Sequence, residues 1–554
     1  MFSRLAVCFI AASSFALASS SCAEEGRAVS SASGPIVHAP AGALEGRMDG
    51  AIRVFKGIPF AAPPIGALRW RPPQASARWS GVRSAQEFGP ACIQPTRHEQ
   101  NIYTSDIGTP SEDCLTLNIW TPADARRAAV LVWIHGGSLT GGSSREMLYD
   151  GARLASRGVI VVSINYRLGI LGYLAHPELS AESPDHISGN YGLMDQIQAL
   201  RWVHENIEAF GGDPSNVTIA GESAGGLSVM YLMAAPSARG LFAKAIAESA
   251  YMVSAQELKQ RNHGTPAAED TGAHLVAALH APNIAALRAM DAQAITDASA
   301  AMGFFPFLTI DGHLLQRQLV DTFDRGEQAH VPVLAGFNAG EIRSLRFLTP
   351  PPPATQAAYE AAIRERYNDL APEFLRLYPG DHMQESMWAT TRDALYGWTA
   401  ERLVAKQSAI GQRGFLYLFD HGYPSMEAAQ LHAFHASELP YVFGNLDRTP
   451  PLWPAIPDTQ QEHALADAIL DYWSSFARTG APSSARAAHW RPYSEARAFM
   501  HFTDDGPQSA EHVFSGMYEL HEQAVCRRRA AGDQPWNWNV GIISPPLRPS
   551  PQCQ

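Results

Sequence analysis

Apolar residues fall along the first half of this chain in two alternating rhythms. Val130 to Ile134 and Val159 to Ile164 are continuous apolar runs rich in β-branched residues. A strand with one wet face would alternate with period two, so these runs predict parallel strands covered on both faces. Leu193, Ile197, Leu200, Val203 and Ile207 recur instead at helical spacing and define one apolar face. A short strand at Val217 to Ala220 leads through a sharp turn into a small-residue helix from Ala224. Val331 to Gly336 and Phe415 to Phe419 are the later strand candidates. Strands and helices alternating in this order predict an α/β fold, a mostly parallel central sheet with helices on both faces.

Two stretches break the rhythm. Residues 251–307 and 349–410 are Ala-rich, helical and less regular. They read as cap insertions over the carboxyl edge of the sheet, where such folds bind ligands. One domain is expected over residues 34–525, followed by a Pro-rich tail, 526–554, that sequence alone does not place. Residues 1–23 read as a signal peptide, with Arg4, an apolar stretch from Leu5 to Ala18, and small residues ending at Ser21-Cys22-Ala23. Ser19 stands where a lipoprotein signal wants an aliphatic residue, which argues against an anchor at Cys22. No later segment is apolar enough to cross a membrane, so a periplasmic or secreted protein is expected.

Composition narrows the classes. The chain has 554 residues, 46% of them hydrophobic, which suits a globular, loop-rich enzyme. A formal net charge of −12 leaves no basic face to neutralise phosphates and argues against a nucleic-acid partner. In an exported chain Cys92 and Cys114, close in sequence, read as a disulfide closing a loop, and Cys526 and Cys553 are a second candidate pair. No CxxC or Cys/His spacing marks a metal site, and no organic cofactor is expected.

The chemistry centres on Gly221-Glu222-Ser223-Ala224-Gly225. Between a strand and a helix this pentapeptide makes a nucleophile elbow, a turn so tight that the flanking positions must be small. It projects the Ser223 hydroxyl above the sheet. A hydroxyl is a weak nucleophile, so a histidine base and an orienting acid must follow, in that fold in the order Ser, Asp/Glu, His. Glu341 follows the strand candidate Val331 to Gly336, and His435 follows Phe415 to Phe419. His432 competes with His435 on this reading. The loop His135-Gly136-Gly137-Ser138 lets backbone N–H groups approach a substrate oxygen, and with the N–H of Ala224 they would form an oxyanion hole.

The run Phe210-Gly211-Gly212-Asp213-Pro214-Ser215-Asn216-Val217-Thr218-Ile219-Ala220-Gly221-Glu222-Ser223-Ala224-Gly225 resembles the serine signature of the type-B carboxylesterase and cholinesterase-like family. Glu112-Asp113-Cys114-Leu115 to Asn118 resembles its second signature, centred on a disulfide cysteine. Asn165-Tyr166-Arg167-Leu168-Gly169, Gly189-Asn190-Tyr191-Gly192-Leu193 and His435 to Phe443 also match. The resemblance implies an α/β-hydrolase fold and hydrolysis of small-molecule carboxylic esters through an acyl-enzyme. It implies Ser223, Glu341 and His435 as nucleophile, acid and base, with Gly137, Ser138 and Ala224 as oxyanion donors. Three positions depart from the family: Ser138 replaces a glycine, Gly340-Glu341-Ile342 replaces Asp-Glu-Gly, and Ser249-Ala250-Tyr251 replaces Ser-Gly-Ser.

Met302, Phe304 and Phe305 precede Ile310-Asp311-Gly312, which resembles the segment after the family's acyl-pocket aromatics, so they are expected to line that pocket. In cholinesterases a tryptophan in the first disulfide loop holds a quaternary ammonium. Here the loop's only aromatic is Tyr103, so neutral esters are expected, without selectivity for choline. The motifs do not specify the leaving group. An amidase, thioesterase or lactonase would use the same machinery, and a non-catalytic binding domain is the alternative outside enzymes.

Overall fold

The computed structural model describes residues 34–536 and 540–553, so the expected signal peptide lies outside it. Its main sheet runs through β1 (Arg47–Asp49), β2 (Ile52–Pro59), β3 (Thr116–Pro122), β4 (Ala128–Ile134), β5 (Ile160–Ile164) and β6 (Gly212–Glu222). It continues through β7 (Lys244–Glu248), β8 (Val333–Asn338), β9 (Gly414–Asp420), β10 (Ala498–Thr503) and β11 (Gly506–Glu511). The spatial order is β11-β10-β9-β8-β7-β6-β4-β5-β3-β2-β1. From β5 to β10 neighbouring strands are parallel, and the pairings at both edges are antiparallel.

The unbroken apolar runs are explained by what each strand faces. Val130, Val132 and Ile134 enter one core layer, while Leu131 and Trp133 between them enter the other. Successive side chains point to opposite faces of a sheet, and here both faces are dry. The helix Tyr191–Asn206 joins the first layer and the helix Gln460–Thr479 the second. The latter starts at Thr459, whose hydroxyl accepts the N–H of Glu462, and stops at Gly480 with φ 72°.

Six of the eleven strands escaped the hydrophobic pattern, namely β2, β3, β7, β10, β11 and the short β1. Polar residues interrupt the first three, and the fold satisfies them internally. In β3 the Asn118 side chain accepts from the Gly57 N–H at 3.0 Å and donates to Ser163 Oγ at 3.0 Å. In β7 the carboxylate of Glu248 accepts the indole N–H of Trp473 at 2.8 Å. Burial of such groups is tolerated because each finds a partner.

The irregular stretches resolve differently from the sequence boundaries. Within 251–307, the helices Ala268–Ala278, Ile284–Ala289 and Ala292–Ala301 close a small apolar core with Trp70, Ile93, Ile170 and Leu171. Within 349–410, the helix Trp398–Ala409 packs directly on β8 and β9. It is a layer of the sheet rather than an insertion over it, so the irregular stretch ends before Trp398. The proposed boundary at 526 falls inside the helix Met517–Ala531. The tail then folds back, donating the Leu547 N–H to Arg366 O at 2.7 Å. Disulfides join Cys92 to Cys114 and Cys526 to Cys553. Among the described residues no helix is long and apolar enough to cross a membrane.

Candidate active site

Strand β6 ends at Glu222, and the next residue turns the chain into the buried helix Ala224–Ala234. Ser223 makes that turn at φ 55°, ψ −120°, a strained conformation for a residue with a Cβ. The crowding explains its neighbours. A Cβ on Gly225 would lie 2.0 Å from Ile134 O, and one on Gly221 would lie 2.6 Å from the Gly225 carbonyl carbon. The Ser223 N–H donates to Glu248 O at 2.9 Å, which ties the elbow to β7.

The loop after β4 lies against this turn. Gly137 has φ 102° and Ser138 φ 57°, and a Cβ on Gly137 would collide with Gly141 O at 2.2 Å. Thr140 and Gly141 both donate their N–H groups to Gly137 O at 3.0 Å. The N–H groups of Gly137 and Ser138 have no acceptor among the described residues. The N–H of Ala224 opens the first turn of its helix, where N–H groups have no intrahelical partner. Gly136 is closely packed as well, since a Cβ there would lie 2.9 Å from Glu222 Oε2 and 3.3 Å from Ser223 Cβ.

Glu341 sits in the turn after β8 and is fully buried. One carboxylate oxygen accepts the Asn338 N–H at 2.9 Å, and the other meets His435 Nδ1 in a short hydrogen bond. The His435 loop is locked to the same turn. Gly340 N–H donates to Ala433 O at 3.0 Å, and Asn338 Nδ2 donates to Phe434 O at 2.8 Å. A Cβ on Gly340 would lie 1.7 Å from His432 O, so the two loops pack backbone to backbone. With Nδ1 on Glu341, the other ring nitrogen, Nε2, stands 3.1 Å from Glu222 Oε1.

Sequence reasoning passed over the residues that tune this imidazole. Burial alone would lower His435, but the carboxylates of Glu222, then Glu341, then Glu438 outweigh it and lift its pKa to about 9. Burial in turn pushes Glu222, Glu438 and Glu248 above the usual carboxylate range. Glu222 could have been flagged as the charged residue inside the elbow. Tyr103 was noted only as a missing tryptophan. Its hydroxyl bonds to His435 O at 2.9 Å and to Ser344 Oγ at 2.7 Å, joining the Cys92–Cys114 loop to both the histidine loop and the Glu341 turn.

Ser223, His435, Gly137, Ser138 and Glu222 line one cavity of about 490 Å³, walled by Tyr103, Tyr149, Leu345, Phe347 and Trp453 among others. Of the three expected acyl-pocket residues, only Phe305 reaches it. The helix Ala292–Ala301 ends at Met302, and Gly303 at φ 79° reverses the chain. Phe304 therefore folds back, donating its N–H to Ser299 O at 3.0 Å and packing on the small apolar core, while Met302 is left exposed. His432 is also outside the cavity. Its ring bonds to Asp420 at 3.0 Å and to Glu427. Among the described residues no cluster of His, Cys, Asp and Glu could hold a metal.

Residues 33–520 match the family model described as the carboxylesterase family. The chain is 36% identical over 484 residues to the fumonisin B1 esterase of Sphingopyxis macrogoltabida, covering 84% of this chain and 86% of that protein. It is 36% identical over 471 residues to the para-nitrobenzyl esterase of Bacillus subtilis, covering 83% and 93%. Among solved structures, a PNB esterase superposes with a TM-score of 0.75 at 32% identity, over 88% of this chain and 99% of that one. A Geobacillus stearothermophilus carboxylesterase gives 0.71 at 30% identity, over the same shares. The fold is therefore an α/β-hydrolase.

Proposed function

We propose, from the premise that this chain belongs to the carboxylesterase family and hydrolyses carboxylic esters, that Ser223, His435 and Glu341 carry the reaction. The pairing of His435 Nδ1 with Glu341 is the observation that supports this most directly. It orients the ring so that Nε2, once deprotonated and released by Glu222, can act as base. Ser223 Oγ attacks the ester carbonyl as His435 Nε2 takes its proton. The carbonyl oxygen becomes an oxyanion, met by the N–H groups of Gly137, Ser138 and Ala224. Since these donors are backbone groups, serine at position 138 removes none of them, although its φ of 57° lies in the region that favours glycine. His435 then protonates the leaving alcohol, and water repeats the sequence on the acyl-Ser223 ester.

The buried carboxylates around His435 favour the imidazolium that forms at each step. Glu222 stands on Nε2 in the resting structure, so Ser223 must compete with it for that nitrogen. The two disulfides and the sequence of residues 1–23 support a protein exported to an oxidising compartment.

A fluorophosphonate probe tests the nucleophile. Wild-type protein is expected to carry the phosphonyl group on Ser223 alone, and Ser223→Ala to remain unlabelled while folding normally. Labelling of the variant at a rate near wild type refutes the assignment.

A further inference from the structure

The disulfide loop that brings Tyr103 to the histidine also brings a cation to the cavity. Arg97 lines the same space as Ser223 and is its only arginine or lysine among the described residues. A Cβ built on Gly141 would lie 3.2 Å from Arg97 Nη2. Gly141 donates its N–H to Gly137 O, so the guanidinium rests against the turn that presents the candidate oxyanion donors. Arg97 is exposed, and the loop that carries it is anchored beside it. Its neighbour Thr96 donates its N–H to Asp297 Oδ1 at 2.7 Å and its hydroxyl to Asp297 Oδ2 at 2.9 Å. Gln293 donates to Gln94 O at 2.9 Å on the other side.

The guanidinium itself makes no hydrogen bond and no salt bridge among the described residues. Among the acids lining this cavity, Glu146 feels the Arg97 charge; its carboxylate accepts the Ser143 N–H at 3.1 Å, and burial pushes it up to about 7. Glu146 therefore brings less than a full charge to oppose an anion in this cavity at neutral pH, and Glu222 is paired with the His435 ring at 3.1 Å. Asn101 adds an amide: its Oδ1 accepts the Tyr103 N–H at 2.9 Å, which leaves Nδ2 as a second donor on the same wall. A planar guanidinium with unused N–H groups is matched by a carboxylate, which it can engage through two parallel bonds.

We propose that this enzyme selects esters that carry a free carboxylate, bound by Arg97 while the scissile carbonyl lies at Ser223. This rests on the hydrolase reading above and replaces the expectation of neutral esters. The carboxylate can belong to the acyl part, as in a half-ester of a polycarboxylic acid, or to the alcohol part. The protein's overall charge of −12 gives an anion no long-range help, so the preference must arise locally.

The test uses purified full-length protein and two matched substrate pairs. For the acyl side, 4-nitrophenyl hydrogen glutarate is compared with 4-nitrophenyl methyl glutarate. For the alcohol side, the butyryl ester of 3-(4-hydroxyphenyl)propanoate is compared with its methyl ester, the chain insulating the leaving phenol from the charge. In one pair the anionic member is expected to lead in kcat/KM by about tenfold at low salt. Arg97→Met should bring that ratio to one or below, and Arg97→Lys should keep part of it. A ratio of one or less in both pairs for wild type overturns the proposal, as does a preference that survives Arg97→Met. Turnover of the neutral esters that survives Ser223→Ala would refute the nucleophile instead, and is read from the same assays.

Discussion

His432 and His435 are three residues apart, on one loop, and both are raised to a pKa of about 9, yet they do different things. His435 is buried, reaches that value through the charges of surrounding carboxylates, and faces Ser223 across a shared cavity. His432 is half-buried and reaches it first through its hydrogen bond to Asp420, with both ring nitrogens occupied by carboxylates. A perturbed pKa therefore does not by itself mark a functional group; His435 differs from His432 in lining the cavity that holds Ser223. The backbone decides which histidine that is. Ala433 at φ 44° and Ala436 at φ 70° shape the turn that leaves His435 in the Ser223 cavity and His432 outside it.

The largest break in this comparison is kinetic. His435→Ala is expected to lower kcat by several orders of magnitude, since the proposed mechanism gives it the Ser223 proton. His432→Ala should stay within about threefold of wild type. Steady-state hydrolysis of a 4-nitrophenyl ester by the two variants, checked for folding by circular dichroism, decides it. If His432→Ala proves the more damaging, the base has been misplaced.

A smaller effect sharpens what holds His435 in place. Tyr103 bonds to the His435 carbonyl, and His432 has no equivalent prop. Tyr103→Phe keeps the ring packed against Phe434 and Trp453 but removes the hydroxyl. Loss of one hydrogen bond of about 1–1.5 kcal/mol should appear as roughly a tenfold fall in kcat. KM should move little, because the hydroxyl positions the base and need not touch substrate. Opening the Cys92–Cys114 loop with a double Cys→Ser change should give a similar fall, and adding Tyr103→Phe to it should cost little more. Independent, additive losses would show that the loop does not act through Tyr103.

How far the sequence reached follows from which interactions are local. The elbow was legible because steric demands at Gly221 and Gly225 are met within five residues and one neighbouring strand. Strands β4, β5, β8 and β9 were legible because two dry faces require unbroken apolar runs. The order Ser223, Glu341, His435 could be laid out along the chain, but choosing His435 over His432 needed the resemblance to a family. The further carboxylates around His435 were not legible, since no spacing shows that Glu222 of the elbow meets the loop that carries His435 and Glu438. Phe304 was misplaced because a single left-handed glycine, Gly303, sets which of two adjacent aromatics turns inward. Spacing carries no sign of that reversal.

The smallest predicted effect concerns stability and separates the two histidines by pH. His432 is raised from 6.5 to about 9, first by its hydrogen bond to Asp420 and then by Glu427, against the opposing effect of burial. A group raised in the folded state contributes its full stabilisation below its unfolded value, and loses it as pH rises through the folded one. Asp420 is depressed below 3.8, because the hydrogen bonds from His432 and His501 outweigh burial. Its contribution is present above that value and fades as pH falls. The cluster should therefore stabilise fully between about pH 4 and 6.5, and not at all above about pH 9. His432 is partly exposed, so the contribution should be about 1 kcal/mol rather than that of a buried pair. Urea unfolding of wild type and His432→Gln at pH 6 and pH 10 measures it. The gap in midpoint should be present at pH 6 and close at pH 10, with kcat of the variant near wild type. A gap that stays constant or widens with pH would mean that His432 is neutral in the folded protein, held by packing and not by charge.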